Sequence, residues 1–425
     1  MTSQHPGSMV RSARPAQVAA LVVVSFLVAP AGLCRGEPQP EPAPTDGLRV
    51  GIATTTITPQ GPVYMAGFAS RKEQSTGVYD DLVASCLVFD DGQTRVGLMA
   101  IDIIGIGPLQ LADIRAAAAE VGIPARQMMV NSSHTHCGPI FERNGDFPTL
   151  FKERTCGLLK TAVGDLQPAT VDYAVGSCTM GISRRYLGAD GKASWRPASG
   201  RPMDMATPVM RVRGADGQVR AVCFGYGCHP TAMGGLQVGP DYPGFARGLI
   251  ATTFPDCLPV FLQGCGGDIK PRSISATGRF EYKSMENLAE LGHELGRAVL
   301  AAMCCEPLRL APVLGGATRT VNLPTKKDPQ KTSSIEVQVI RIGGLSIVGI
   351  NGEVFAQIGM RIKRELAGKP VWVNGYSNRR VGYIPTAAAY PEGGYEVDIS
   401  RYSPAAEGLI VTAALDLVRE LHEAP

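Results

Sequence analysis

Short apolar runs, separated by polar and glycine-containing turns, recur along the whole chain. Examples are LVASCLVFD, RVGLMAIDIIGI, AVCFGYGCH, LPVFLQGCGGD and LSIVGINGE, all rich in β-branched residues. Short runs of this kind, bounded by Gly, Pro, Asp or Asn, are typical of buried strands. The pattern therefore predicts a protein with many strands that are largely covered by other elements.

Helical periodicity appears between these runs. Residues 283–303 predict one amphipathic helix, and residues 403–421 predict another that starts with a serine cap followed by proline. Strands and helices mixed in this way predict an α/β fold, with one large domain of mixed β-sheets flanked by helices. The face of the first helix is formed by Leu288, Leu291, Leu295 and Val299.

The N-terminal segment differs in composition from the rest of the chain. Residues 1–31 combine Arg11 and Arg14 with an apolar run and an A-x-A pattern, which predicts a secretory signal peptide. Residues 32–47 are predicted to form a Pro-rich linker, and residues 48–425 are predicted to form one large folded domain. We therefore expect a secreted or periplasmic protein, with an uncleaved anchor or lipidation at Cys34 as the alternatives.

Charge and cysteine content exclude several classes of protein. The net charge of +3 and the absence of basic runs with interleaved aromatics argue against a nucleic-acid partner. Eleven cysteines in 425 residues are too few for a disulfide scaffold. The sequence does not define an oligomeric state.

Polar side chains that can bind metals follow several of the predicted strands. His134 and His136 follow one strand, His229 a second and Glu353 a third. Turns at strand ends are where α/β proteins hold ligands, and residues two apart in an extended segment point the same way. His134, His229 and Glu353 have the composition of a catalytic zinc site. The alternative is that HTH is a hydrogen-bonded turn and His229 a core residue.

Five sequence blocks in order resemble the catalytic domain of the neutral/alkaline ceramidase family. They are VGIATTTITPQGPVYMAGFASR, SSHTHCGP, CHPTAMG with DYPGFA, QGCGGDIKP, and NGEVFAQIG with GYIPTAAAYPEGGYE. The resemblance implies the ceramidase-type α/β fold and one Zn²⁺ per chain. The implied ligands of that ion are His134, His229, Glu353 and Tyr383.

The resemblance also implies residues that act on the substrate. They are His136, Arg184 and Tyr395, with Arg185 as the alternative arginine; Tyr395 has the family's spacing from Tyr383, since 395 − 383 = 12. The implied reaction is hydrolysis of the amide bond of a ceramide-like N-acyl lipid by metal-activated water. His136 would move a proton, whereas Tyr395 and Arg184 would donate to the oxyanion.

One family block departs from its usual pattern. Lys270 stands where the family has a serine, and we include it among the catalytic-site residues. Its ammonium only donates hydrogen bonds, so it either meets an anionic group of a different substrate or turns outward to a carboxylate. Cys137 is an alternative metal ligand. Asp102, Asp241 and Asp268 are expected to orient histidines or cap turns.

Three functions remain open at this point. The first is the zinc-dependent amidohydrolase, with a lipid or small-molecule amide as partner and peripheral contact with a membrane. The second is a zinc hydrolase of another amide or an ester. The third is an inactive relative that binds metal without turnover, which the replacement of the family serine by Lys270 suggests.

Overall fold

Strands and helices alternate along the chain as the hydrophobic pattern predicts. A computed structural model describes residues 47–423, all within one unit that spans Pro42–Pro425. The predicted signal peptide and almost all of the predicted linker lie outside the described residues. The helices are α1 (Pro108–Glu120), α2 (Phe147–Gly164), α3 (Tyr242–Thr253), α4 (Met285–Met303), α5 (Ala356–Glu365), α6 (Ala389–Glu392), α7 (Tyr395–Ile399) and α8 (Ala406–Glu423).

Most of the strands are short, and several contain only two or three residues. They are β1 (Arg49–Thr56), β2 (Gly77–Val78), β3 (Val83–Asp90), β4 (Arg95–Ile101), β5 (Met128–Ser132), β6 (Gln167–Ser177), β7 (Gly181–Leu187), β8 (Ala193–Ala198), β9 (Ala206–Gly214), β10 (Val219–Tyr226), β11 (Gln237–Val238), β12 (Leu258–Gln263), β13 (Ile269–Pro271), β14 (Leu308–Leu310), β15 (Leu314–Pro324), β16 (Thr332–Ile342), β17 (Leu345–Ile350), β18 (Glu353–Val354), β19 (Val371–Asn374) and β20 (Tyr383–Ile384).

Two large mixed sheets form the centre of the molecule. The nine-stranded sheet has the order β12-β10-β9-β6-β1-β3-β4-β5, with β14 paired to β6, and the four-stranded sheet has the order β15-β16-β17-β19. In these two sheets most neighbouring strands are antiparallel. Three pairs are parallel: β4 with β5, β10 with β12, and β17 with β19. A three-stranded sheet, β13-β7-β8, and the two-stranded sheets β11-β2 and β18-β20 complete the set within residues 47–423.

The two large sheets pack face to face between two layers of helices. Adjacent residues of β4 show this arrangement: Leu98 faces the four-stranded sheet, whereas Met99 faces α1 and α2. Helices α3 and α4 cover the other half of the face of the nine-stranded sheet that α1 and α2 cover. Helices α5 and α8 cover the outer face of the four-stranded sheet. Because side chains alternate along a strand, each sheet contributes to two cores. Each fully buried aliphatic side chain contributes about 2 kcal/mol of transfer free energy.

The predicted helices correspond closely to observed ones. Helix α4 begins after Ser284, whose hydroxyl accepts from the backbone N–H of Asn287, and the predicted apolar stripe faces inward. The predicted C-terminal helix corresponds to α8, which starts three residues later than expected. None of the helices within residues 47–423 combines the length and apolar character needed to cross a bilayer. The ten cysteines in this range are free thiols.

Candidate metal centre

Ends of strands from both large sheets meet at one place. His134 and His136 follow β5, and His229 follows β10, so the nine-stranded sheet supplies three histidines. Single bridges between Gly264 and Asn374, and between Asn131 and Ser377, connect this edge to the last residue of β19 and to the segment that follows β19. The convergence at strand ends is the one that the sequence predicts.

The two-stranded sheet β18-β20 supplies the other two predicted metal ligands. Its strands are parallel, and Glu353 pairs in register with Tyr383. Glu353 Oε2 lies 3.1 Å from His229 Nε2 and 3.4 Å from His134 Nε2. The hydroxyl of Tyr383 lies 3.5 Å from His229 Nε2. All four side chains are buried, and their donor atoms converge on one point.

Backbone carbonyls orient the two imidazoles. His134 Nδ1 lies 2.7 Å from the carbonyl oxygen of Ile104, and His229 Nδ1 lies 2.6 Å from that of Gly266. A carbonyl only accepts, so Nδ1 donates in both rings and Nε2 carries the lone pair when the ring is neutral. This is the tautomer in which Nε2 binds a metal.

Of the two roles predicted for the aspartates, orienting histidines or capping turns, the structure shows no hydrogen bond from these three residues to a histidine within residues 47–423. Asp241 caps α3 by accepting from the backbone N–H of Tyr242, Asp102 accepts from Arg247, and Asp268 accepts from the backbone N–H of Ala356. Capping is therefore confirmed for Asp241 and Asp268, whereas Asp102 pairs with an arginine. Main-chain carbonyls, which no sequence motif identifies, orient the histidine rings instead.

The charge states of the cluster favour a bound cation. Burial and the Arg184 guanidinium are the main effects that lower the pKa of His229, to about 4. Burial disfavours the Glu353 carboxylate, but the imidazoles of His134 and His229 outweigh it and hold its pKa well below the usual range. At neutral pH a carboxylate oxygen thus faces the lone pair of His229 Nε2, an arrangement of two acceptors that a cation between them would satisfy.

His136 belongs to the same cluster but differs from its neighbours in hydrogen bonding. Nitrogens of His134, His136 and His229 lie within 4.8 Å of one another, so the three histidines could hold a metal ion. Both ring nitrogens of His136 are buried without a hydrogen-bond partner in the described part of the chain. This three-histidine set overlaps the predicted set at His134 and His229.

His134 and His136 lie close together, but the segment that holds them is not the extended one that the sequence predicts. Strand β5 ends at Ser132, and His134 has a φ of 67°, a left-handed conformation that is rare outside glycine. The segment is therefore a turn, although the ring centroids of His134 and His136 still lie 5.0 Å apart. Cys137, the alternative ligand, is buried and lies outside the histidine group.

Arg184, rather than Arg185, reaches the cluster. One terminal nitrogen of Arg184 donates to the hydroxyl of Tyr383 at 3.0 Å and to the carbonyl oxygen of Gly267 at 2.7 Å. Its Nε donates to Glu396 at 2.7 Å, and Arg185 binds the other oxygen of the same carboxylate at 2.8 Å. Burial raises the pKa of the Tyr383 phenol, so a phenolate there requires a bound cation.

A half-open cavity of about 520 Å³ lies next to the cluster. His136, Arg184, Lys270, Tyr383 and Tyr395 all line it, so every predicted substrate-contacting residue faces the same space. Tyr395 is half exposed at the rim, and its ring lies 5.8 Å from that of Tyr383. Further aromatic walls come from Phe68, Trp195, Phe280 and Tyr282.

Lys270 does not turn outward to a carboxylate. It is buried, and its ammonium donates to the carbonyl oxygen of Thr231 at 2.5 Å and to the Thr231 hydroxyl at 3.0 Å. The expectation of an outward ion pair is therefore wrong, because a local hydrogen-bond pair holds the side chain in the cavity wall.

Three further residues, none of them predicted to act in the site, also lie there: Tyr376, Trp195 and Glu396. Tyr376 lies against both histidines of the predicted ligand set, with its ring centroid 4.5 Å from that of His134 and its hydroxyl 3.4 Å from His229 Nδ1. Trp195 stacks under the Arg184 guanidinium at 4.3 Å, and Glu396 binds Arg184. Glu396 directly follows Tyr395, so an acidic residue beside a predicted site residue was the available signal.

The chain is similar to known ceramidases in part of its sequence and in its fold. No protein-family model matches the chain. A segment is 31% identical over 96 residues to the neutral ceramidase of Mycobacterium tuberculosis (strain ATCC 25618 / H37Rv), and the match spans 21% of this chain and 15% of that relative.

Two solved structures have the same fold. The crystal structure of neutral ceramidase from Pseudomonas aeruginosa matches with a TM-score of 0.78 at 18% identity, over 90% of this chain and 75% of that one. A ceramidase complexed with C2 matches with a TM-score of 0.77 at 17% identity, over 90% of this chain and 76% of that one. The predicted α/β fold with mixed sheets and the predicted resemblance to neutral ceramidases are thus confirmed.

Proposed function

We propose that this chain, which has the fold of neutral ceramidases, is a zinc-dependent amidohydrolase that cleaves the amide bond of a ceramide-like N-acyl lipid. The observation that carries the proposal is the convergence of His134, His229, Glu353 and Tyr383 beside an aromatic cavity. Both the ligand set and the reaction are part of the proposal.

The donor set fits zinc by its chemistry. Imidazole nitrogens with carboxylate and phenol oxygens suit a borderline metal better than a hard cation such as Mg²⁺. When bound, zinc lowers the pKa of a water molecule and polarises a carbonyl group. The carbonyls of Ile104 and Gly266 hold the imidazoles in the required tautomer, and the Arg184 guanidinium favours the ionised form of Tyr383.

Three residues of the cavity wall have roles in this proposal. His136 has two ring nitrogens that no protein group of the described residues uses, so it can take up a proton and deliver it to the leaving amine. Arg184 uses Nε and one terminal nitrogen for internal contacts, which leaves Nη1 for a substrate oxygen. Tyr395 at the rim adds a hydroxyl donor for the oxyanion.

The cavity walls support an acyl chain as part of the substrate. Six Phe, Trp and Tyr side chains line the cavity, and three of them, Trp195, Tyr282 and Tyr395, are each about half exposed at its mouth. Amphipathic aromatic residues of this kind suit the boundary between water and lipid. We therefore propose peripheral contact with a membrane during substrate uptake, and export directed by residues 1–31.

The direct test is hydrolysis of a fluorescent N-acylsphingosine by the full-length chain. Chelator-treated protein should be inactive and should recover with zinc, whereas His134→Ala should lose at least about 100-fold in kcat/KM. His293→Ala, which removes a partly exposed histidine on α4, is the matched control and should keep full activity.

Other outcomes would replace the proposal. Zinc-dependent cleavage of an ester analogue without amide cleavage would assign a different bond. Stoichiometric zinc with no cleavage of either probe would assign the inactive, metal-binding alternative.

A further inference from the structure

Lys270 is a cation in the cavity wall without an anionic partner. Its ammonium donates hydrogen bonds only to Thr231, through the carbonyl and hydroxyl oxygens, and it forms no direct ion pair with any residue in the range 47–423. An ammonium has three N–H donors, so these two contacts leave one donor free. Burial lowers the pKa of Lys270 to about 8, and the amine is therefore mainly protonated at neutral pH.

The other charged groups of the cavity wall are already neutralised. Arg184 is paired with Glu396 at 2.7 Å, and Glu281 is paired with Lys283 at 2.8 Å. Asp241 favours the charged form of Lys270 through space, but its oxygens accept from backbone N–H groups at the start of α3 and in the preceding loop. Lys270 is thus the charged group of the cavity wall that has no direct ion pair within residues 47–423, since Asp241 acts on it only through space.

The surroundings of Lys270 are aromatic on the cavity side. Its Nζ lies 5.5 Å from the ring centroid of Phe280 and 5.9 Å from that of Tyr282. Aromatic faces stabilise a cation only partly, and a buried cation without an anion is costly. An anion that enters the cavity would therefore gain a charge-assisted hydrogen bond from the free N–H.

We propose that Lys270 selects N-acyl amides whose amine half carries a carboxylate, as in an N-acylated amino acid. A single free N–H fits one oxygen of a carboxylate, whereas a phosphate, with more charge and more acceptors, is usually held by several donors. This assignment rests on the proposed amidohydrolase function and specifies its substrate class. It also gives a physical role to the residue that departs from the family pattern.

The test compares two amides with the same acyl chain, N-dodecanoylglycine and neutral N-dodecanoylethanolamine, on the zinc-loaded full-length protein. We expect kcat/KM for the carboxylate substrate to exceed that for the neutral one by at least about 10-fold. Lys270→Met should reduce this ratio to about 1, and Lys270→Arg should retain part of it. Lys152→Met removes a surface cation whose partner, Asp113, does not line this cavity, and it should leave the ratio unchanged.

The outcomes separate this proposal from the proposed function. A wild-type ratio near or below 1, or a ratio that survives in Lys270→Met, overturns the assignment of Lys270. If neither amide is cleaved, calorimetric binding of the same two compounds decides the selectivity, while hydrolysis of N-acylsphingosine decides the hydrolase proposal separately. A preference for N-dodecanoylglycine that Lys270→Met abolishes supports the carboxylate site, and equal affinities overturn it. If Lys270→Met does not fold, Lys270→Gln keeps a donor for Thr231 and replaces it in both assays.

Discussion

The carboxylate of Glu353 and the imidazole of His229 meet inside the protein, with 3.1 Å between Oε2 and Nε2. His134 Nε2 approaches the same oxygen at 3.4 Å. Because carbonyl groups use the Nδ1–H of each ring, only an added proton or a cation can lie between these acceptors. Metal binding at this place therefore depends on the negative charge of Glu353.

Glu353→Gln should weaken zinc binding strongly while it preserves the shape of the side chain. Loss of the negative charge removes the main electrostatic attraction for a dication, so we expect the Kd for zinc to rise by at least about 100-fold. Competition with a chromophoric chelator measures this change. Glu365→Gln, on the surface of α5, is the control, and an unchanged Kd in Glu353→Gln would exclude Glu353 as a ligand.

Gly67 should be required for the position of His136. A Cβ added at Gly67 would lie 2.2 Å from Cγ of His136, and Gly67 has a φ of +96°. Gly67→Ala should therefore displace the imidazole and lower kcat by about 10-fold or more, with zinc content retained. Gly61→Ala is a matched control, because Gly61 has a φ of +76° but no atom within 4 Å of an added Cβ.

If Gly61→Ala lowers kcat as much as Gly67→Ala does, backbone strain rather than displacement of His136 explains the loss. If Gly67→Ala instead loses zinc, His136 acts as a metal ligand, as the three-histidine set allows.

Substitution of Tyr383 and of Tyr395 should affect zinc affinity and kcat differently. Tyr383 contacts both Arg184 and His229, whereas Tyr395 lies at the rim and is 50% exposed. Tyr383→Phe should weaken zinc binding and lower kcat, since it removes a ligand oxygen. Tyr395→Phe should lower kcat with unchanged zinc affinity, because it removes only a donor to the oxyanion. Paired measurements of Kd and kcat test this, and equal losses of zinc affinity in both variants would contradict it.

The sequence predicted the parts of the site that depend on local pattern. Residues that can bind a metal directly follow apolar runs. The ends of β5 and β10 and the position of Glu353 could therefore each be predicted from the local sequence of a single strand. The amphipathic stripe of α4 was predictable for the same reason, since its period is set within a few turns.

The rest of the site depends on contacts between distant segments. Arg184 and Glu396 are 212 residues apart, and no local rule identifies that pair. The left-handed φ of His134 and the carbonyl partners of the histidines also follow from tertiary packing. Lys270 was recognised as unusual, but its burial against Thr231 was not predictable, because a lone lysine is normally solvated.

Glu396 should be essential for stability because it is the shared partner of two buried arginines. Its oxygens accept from Arg184 at 2.7 Å and from Arg185 at 2.8 Å, and all three side chains are 2% exposed. Glu396→Gln leaves both guanidinium groups without this charge, so the free energy of unfolding should fall by about 3–5 kcal/mol. Urea unfolding measures the change. Glu365→Gln, which breaks a partly exposed pair with Arg361, should cost less than about 1 kcal/mol.

The same carboxylate should contribute to acid sensitivity. Burial disfavours the charge of Glu396, but the guanidinium of Arg184 outweighs burial and keeps the pKa of Glu396 below its usual value. A carboxyl group whose pKa is lower in the folded state stabilises the protein above the unfolded-state pKa, about 4.3, and this contribution is lost as the pH falls through the folded-state value. The free energy of unfolding of the wild type should therefore fall below about pH 4. In Glu396→Gln, the free energy of unfolding should depend less steeply on pH in this range. Equal slopes of unfolding free energy against pH in the two proteins would show that Glu396 is not the group that titrates.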